Sequence, residues 1–253
     1  FVVIAVMQSG PSYLVAFDKE SGEIAWKTDR LLSAPREAAQ SYATPLAMPE
    51  SGQIAVMGAD HLTIHSASDG SEVGRVGGFN PEQQEFFRSI ASPAISGDVI
   101  ICPYSRGETV TACRLSDVVA GKGRESILWY RDDLGSDVPT PAIVDERVYF
   151  VGDSKTNKGM VWALDLLTGE TVWSIRLPKS RIGFSSSPLV ANNHLFVTSE
   201  NATTYVIGPL DSERPKVVAT NRLDDDQAFT VASPVPVDGT LLQRTRNAIY
   251  RIK

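Results

Sequence analysis

The dipeptide [Ser/Thr]-Pro returns at a near-constant interval along this chain, as Thr44-Pro45, Ser92-Pro93, Thr140-Pro141, Ser187-Pro188 and Ser233-Pro234. Successive prolines lie 48, 48, 47 and 46 residues apart. Each opens a short apolar run, over residues 46–48, 94–95, 142–144, 189–191 and 235–237. A repeat of about 45 residues built from short strands predicts a β-propeller, in which each unit buries its apolar face only by stacking on its neighbours. Length alone, 253 residues, would suggest one or two domains. The repeat instead predicts one all-β propeller domain over 1–253, built of four-stranded blades.

One unit shows the plan. Residues 138–144 form an inner strand A. Asp145-Glu146 is a tight turn into strand B, 147–151, and a polar loop over 152–159 leads to strand C, 160–165. The turn Leu167-Thr168-Gly169-Glu170 places Gly where a positive φ is needed, and strand D follows over 171–177. The unit from Tyr42 keeps strands at 54–57 and 62–64 and the turn Ser68-Asp69-Gly70. The unit from Ile90 has strands at 99–101, 109–113 and 127–130, with an insert at 118–125. The unit from Phe184 has strands at 195–197, 204–207 and 216–219.

The end units differ. The first has B (2–6), C (13–18) and D (24–28) without a [Ser/Thr]-Pro strand A; the last has A (230–237), B (240–244) and C (248–252) without D. Four blades are complete and two partial. Unpaired sheet edges are a liability that closed propellers avoid. The opening Phe1-Val2-Val3-Ile4-Ala5-Val6, mid-strand in character, adds to the expectation of a C-terminal part of an eight-bladed parent with its targeting signal upstream.

Composition narrows the partners. The formal net charge is −6, from 24 basic and 30 acidic residues, without a Lys/Arg cluster, which disfavours nucleic acid. No run of 18 apolar residues exists, so no membrane-spanning helix is expected. Asp224-Asp225-Asp226 has the character of a solvated loop, since the ligand spacing of a calcium loop is missing. A hairpin turn at Ser105-Arg106-Gly107 places Cys102 opposite Thr111 rather than Cys113, which predicts two buried free thiols and no disulfide.

Two C-to-D turns share the pattern A-x-D-x-x-[ST]-G-x-x-x-W: Ala16 through Asp18, Ser21 and Gly22 to Trp26, and Ala163 through Asp165, Thr168 and Gly169 to Trp173. Small Ala admits a neighbour, Asp caps the turn, Gly takes the left-handed conformation and Trp packs between blades. Trp129 keeps the same place after the insert. With this motif the chain resembles the pyrroloquinoline-quinone (PQQ)-like, tryptophan-docking propeller repeat family over nearly its whole length. That family includes quinoprotein alcohol dehydrogenases and the propeller lipoprotein of the outer-membrane β-barrel assembly machine. The segments Gly77-Gly78-Phe79-Asn80-Pro81, Val138-Pro139-Thr140-Pro141 and the stretch 232–239 look most like secreted propellers of planctomycete-type bacteria.

The resemblance implies two functional classes. The dehydrogenases bind PQQ with Ca²⁺, a catalytic Asp and, in many members, a vicinal Cys pair. This chain has no Cys-Cys dipeptide, Trp26, Trp129 and Trp173 occupy structural repeat positions, and strand packing accounts for Trp162. The expectation is therefore a non-catalytic binding or scaffold propeller, without PQQ, Ca²⁺ or another cofactor, monomeric, periplasmic or secreted, with a protein or small extracellular ligand as partner. A quinoprotein-like enzyme and a sensor module of a larger protein are the alternatives. His61 and His65, at i, i+4 with Asp60 adjacent, are the one arrangement suggestive of a metal. No nucleophile elbow or P-loop is present. Two D-to-A connections depart from the repeat, at 31–40 and 79–88, and mark a face for partners. In the second, Pro81 could open a helical turn with Glu82 and Glu85 near its positive end, letting Phe86 and Phe87 cap the core or project. By analogy of placement, Phe86, Phe87, Arg88, Asp137 and Phe229 are the candidate partner-binding residues around a channel mouth.

Overall fold

A computed structural model of the chain describes residues 1–178, 182–223 and 228–253, so the Asp224-Asp225-Asp226 run lies outside the described residues. The chain divides into two compact units, Phe1–Asp133 and Leu134–Lys253.

In the first unit, β1 (Val2–Val6), β2 (Tyr13–Phe17) and β3 (Ile24–Asp29) form a three-stranded sheet. The second sheet holds β4 (Leu46–Met48), β5 (Gln53–Gly58), β6 (His61–Ser66) and β7 (Glu72–Gly77). The third holds β8 (Ala94–Ser96), β9 (Val99–Tyr104), β10 (Thr109–Arg114) and β11 (Ile127–Arg131). In the second unit, one sheet holds β12 (Ala142–Val144), β13 (Arg147–Val151), β14 (Met160–Asp165) and β15 (Thr171–Arg176). The next holds β16 (Leu189–Ala191), β17 (His194–Thr198), β18 (Thr203–Gly208) and β19 (Lys216–Arg222). The last holds β20 (Val235–Val237), β21 (Thr240–Arg244) and β22 (Ile249–Ile252). Each strand pairs antiparallel with its chain neighbour, the meander of propeller blades.

Inner strands are shorter than the sequence predicts. They begin after the [Ser/Thr]-Pro dipeptide, because Pro has no N–H for the ladder and holds the residue before it extended. That residue's N–H instead leaves its sheet. Thr44 N–H donates to Ser92 Oγ at 2.9 Å, Thr140 N–H to Ser187 Oγ at 3.0 Å, and Ser187 N–H to Ser233 Oγ at 2.9 Å. Each bond joins one repeat to the equivalent residue of the next.

The A-x-D-x-x-[ST]-G-x-x-x-W motif is fully engaged. Asp18 Oδ1 accepts the N–H groups of Glu20 and Ser21 and the Ser21 hydroxyl at 2.9–3.1 Å. Asp165 Oδ1 does the same for Leu167 and Thr168. These donors hold the Asp18 carboxyl below the usual carboxylate range; at Asp165 burial pushes up, and the donors together with Arg147 outweigh it and bring the carboxyl below that range. Gly22 and Gly169 sit at φ 74° and 70°. Ala16, Ala112 and Ala163 lie directly across from Trp26, Trp129 and Trp173, each followed by a bulge that aims the outer strand. Trp26 reaches the second sheet, where its Nε1–H donates to Ala67 O at 3.1 Å and its ring covers Gly70, leaving no room for a Cβ.

Within the first unit, Met7, Leu14, Ala16 and Trp26 pack on Ile54 and Val56, and Met57, Leu62 and Ile64 pack on Ile100, Cys102 and Cys113. In the second, Tyr149, Val161 and Leu177 pack on Phe184, Leu195 and Tyr205. Cys102 faces Thr111 in register, and both thiols are free and buried; burial pushes Cys113 up to about 12. The 118–125 insert belongs to a longer ordered segment, α1 (Leu115–Val119) and a 3-10 turn (Gly123–Ser126). It packs against β7, with Val118 O crowding Gly74.

The inter-sheet bonds predict a defined loss. Ser187→Ala removes the acceptor of Thr140 N–H, and should lower unfolding stability by about 1–2 kcal/mol. Ser187→Thr keeps the oxygen and should stay within about 0.5 kcal/mol. Urea denaturation of the two variants measures the difference.

Candidate functional site

The two non-repeating connections of the first unit meet. In the 31–40 segment, Pro35 precedes a 3-10 turn, Arg36–Ala39. Ala38 N–H donates to Glu85 O at 3.2 Å, Ser89 N–H to Gln40 O at 3.2 Å, and Tyr42 N–H to Ser89 O at 2.8 Å. Charged side chains bind the same seam. Arg36 pairs with Glu85 at 3.0 Å, and Glu37 lies 3.8 Å from Arg88 and 3.5 Å from Arg106. Arg106 also donates from Nε to Phe86 O at 2.8 Å. The result is one platform carrying three exposed apolar side chains, Leu31 (68%), Tyr42 (64%) and Phe86 (51%).

The 79–88 segment is not helical. Gln83 has φ +53°, which a helix cannot accommodate, so Pro81 does not open a helical turn. Asn80 organises the segment: its Oδ1 accepts Gln84 N–H at 2.8 Å, and its Nδ2 donates to Gln84 O and to Asp60 Oδ2 at 2.9 and 3.2 Å. Asp60, buried in the β5–β6 turn, also accepts the Tyr104 hydroxyl. Burial pushes the Asp60 carboxyl up against the opposing pull of these donors, and pushes the Tyr104 phenol up as well. Phe79 and Phe87 pack on the Tyr104 ring at 6.3 and 6.2 Å between centroids. Phe86 and Phe87 thus divide the alternatives: Phe87 caps the core and Phe86 projects.

The other candidate residues lie in the second unit. Asp137 and Val138 donate their N–H groups to Asp153, at 2.8 Å to Oδ1 and 2.9 Å to Oδ2. Burial raises the Asp153 carboxyl to about 6, partly offset by those two N–H groups. Phe229, 38% exposed, lies under the Arg246 guanidinium at 5.2 Å. Arg88 and Asp137 are both half-buried.

His61 and His65 do not form a metal pair. His65 is buried, with Nδ1 3.0 Å from Gly70 O and Nε2 2.9 Å from Thr63 Oγ1, so both ring nitrogens are engaged. His61 Nδ1 lies 2.6 Å from Ala59 O, and the Asp60 carboxyl points to Tyr104 and Asn80. The parity of i and i+4 places the two rings on one face of β6, where His65 is buried beside Thr63 and His61 half-buried, while Leu62 and Ile64 of the opposite face enter the apolar core. Among the described residues no three His, Cys, Asp or Glu side chains cluster to hold a metal ion. Trp162 is buried in β14.

Sequence reasoning passed over Arg30. It follows β3, is 3% exposed, and sends its guanidinium into the second sheet. Nε donates to Thr63 Oγ1 at 2.9 Å, Nη1 to Met7 Sδ at 3.1 Å, and Nη2 to Gly58 O and His61 O at 3.1 and 3.3 Å. Burial brings its pKa down to about 10.

This architecture is that of a β-propeller of four-stranded blades with PQQ-like repeats. The family model described as Outer membrane protein assembly factor BamB matches residues 2–118 and 122–249, and the chain belongs to that family. No curated protein matches the chain. Among solved structures it is similar to BamB from Moraxella catarrhalis, with TM-score 0.69 and 13% identity over 98% of this chain and 70% of that one. It is also similar to a europium-containing methanol dehydrogenase, with TM-score 0.62 and 10% identity over 96% of this chain and 59% of that one. A quinohemoprotein alcohol dehydrogenase from Comamonas testosteroni gives TM-score 0.62 and 12% identity over 88% and 42%. At these identities the likeness is one of fold.

The Asp153 environment generates a pH prediction. Its folded value, about 6, lies above the ordinary 3.8, so the folded chain binds the extra proton between those values. This contribution to stability is present below about pH 4, falls as pH rises through 6, and is flat above, amounting to about 3 kcal/mol. Asp153→Asn should flatten that segment. Urea midpoints of variant and wild type across pH 4–7 read the difference.

Proposed function

We propose that this chain is a non-catalytic binding propeller of the periplasmic or secreted space, engaging a protein partner through the platform of the first unit. The carrying observation is that the only two long D-to-A connections among the described residues of that unit join each other. They expose Leu31, Tyr42 and Phe86 on segments joined by the Arg36–Glu85, Arg88–Glu37 and Arg106–Glu37 pairs. Apolar anchors within a polar, ion-paired rim are the composition of a protein-binding surface. The segment is held from beneath by Asp60, Asn80 and Tyr104, so a partner would meet a preorganised surface. Membership of the BamB family favours a scaffold role over catalysis, and among the described residues no helix is long and apolar enough to cross a membrane. The quinoprotein alternative rests on likeness of fold, without a donor cluster for Ca²⁺ among the described residues.

A photo-crosslinking amino acid at position 42 or 86 should capture a discrete protein partner in the native cell envelope. The same probe at Val172, exposed on β15, should not. Phe86→Ala and Tyr42→Ala should each weaken binding of that partner about tenfold or more, with thermal stability unchanged. Capture from Val172 alone would reject the platform. A bound-quinone spectrum after reconstitution with PQQ and Ca²⁺, together with dye-linked alcohol oxidation, would reject the scaffold role.

A further inference from the structure

We propose that the cavity of the first unit beside Arg30 is a binding site for a small oxyanion, an organic carboxylate or a phosphate. This site goes beyond the platform's role, although the 31–40 connection contributes residues to both. The cavity encloses about 300 Å³ and is lined from the β1–β2 loop by Met7, Ser9 and Ser12, and from the β3–β4 connection by Arg30, Ser33 and Arg36. No Asp or Glu lines it.

The repeat supplies the comparison that makes Arg30 informative. Arg30 lies four residues after Trp26, as Leu177 lies four residues after Trp173. Both make the same backbone bond, Arg30 N–H to Ser12 O and Leu177 N–H to Gly159 O, each at 2.8 Å. Leu177 is buried in the apolar core of its unit. At the matching place the first unit buries a guanidinium, where an apolar side chain would gain from burial and a charge loses hydration.

The surroundings satisfy the geometry of that guanidinium and leave its charge without a counter-ion. Its acceptors are a hydroxyl, a thioether and backbone carbonyls, all neutral. Among the described residues no carboxylate lies within ion-pair distance of it. Glu72, the acid whose field favours its charged form, is itself paired with Arg75. A buried cation beside a cavity without acids is complementary to an oxyanion, and a guanidinium recognises carboxylate and phosphate alike. Ser33 and Arg36 belong to the same lining, Arg36 being paired with Glu85, while the Ser9 and Ser12 hydroxyls donate to the backbone carbonyls of Arg36, Gln8 and Gly10. The cavity is at the small end of ligand sites, which fits a metabolite-sized anion rather than a peptide.

The test follows the Arg30 Nε–H resonance of the whole chain by NMR during titration with succinate, inorganic phosphate or methyl phosphate at constant ionic strength. A saturable shift of that resonance is expected, with a melting-temperature rise of about 3–6 °C at ten times Kd. Saturation by succinate alone assigns an organic carboxylate, and by the phosphate probes alone a phosphate group. Ala39→Leu, which narrows the cavity and keeps Arg30, should weaken the shift at least tenfold while the remaining spectrum is preserved. Arg30→Met should abolish the thermal response. Absence of a saturable shift with all three probes would overturn the proposal, as would an equal thermal response in wild type and a folded Arg30→Met.

Discussion

The hydrogen bond from the residue before a proline to the hydroxyl of its counterpart one sheet along, made by Thr44, Thr140 and Ser187, is the constraint on which the remaining structure depends. Pro removes a ladder donor at its own position and fixes the preceding residue as extended, which turns that residue's N–H out of its sheet. The acceptor has to be short, polar and able to stand in the same place, which is what a Ser or Thr at the next repeat provides. One such bond contributes only about 1 kcal/mol. Its larger effect is on spacing, because it sets one inner strand against the next; the first sheet has no inner strand among the described residues, and there Trp26 makes the contact with the second sheet, meeting Ala67 O and covering Gly70. Burial of that ring contributes more than one such bond.

With the inner strands tied at this point, variation is confined to the connections. The 31–40 and 79–88 segments begin from sheets already held together, so a few backbone bonds, with the Asn80–Asp60–Tyr104 contacts beneath, suffice to order them. The same holds for the insert on the third sheet, which reaches back to β7 where Gly74 leaves space for Val118 O. Both additions brace neighbouring sheets while carrying side chains that the repeat does not specify.

Strands and turns were legible because alternation and turn chemistry are local. β1, β13, β14 and β21 have the bounds read from sequence, and the cysteine register follows from the position of the Arg106–Gly107 turn. Other features needed information that is not local. The inner strands were overextended because a Pro-adjacent residue can bond to another sheet, which no single unit reveals. Residues 79–88 carried helix-opening residues, and only the backbone at Gln83 shows that they close as a side-chain-capped turn. His61 and His65 share one face of a strand, yet parity does not say what each ring bonds to: His65 is taken up by Gly70 O and Thr63, and His61 by Ala59 O. The two joined connections were recognised as departures from the repeat; their contact depends on the sheets bringing Ala38 to Glu85.

Arg30 marks a different kind of limit, one that the sequence held in view. Reading from each motif Trp to the fourth residue beyond it sets Arg30 beside Asp133 and Leu177; Asp133 is exposed and Leu177 apolar, so Arg30 alone of the three is a buried charge. It escaped notice because the position lies just outside the motif, where a lone Arg after a strand has the look of a solvated end. The structure removes that explanation by burying the side chain among neutral acceptors. A fold built from copies carries its own reference state: where one copy gives up an apolar contact that another keeps, packing alone does not account for the substitution. At Arg30 the element left unbalanced is a single positive charge, and the adjoining cavity is where a ligand can balance it.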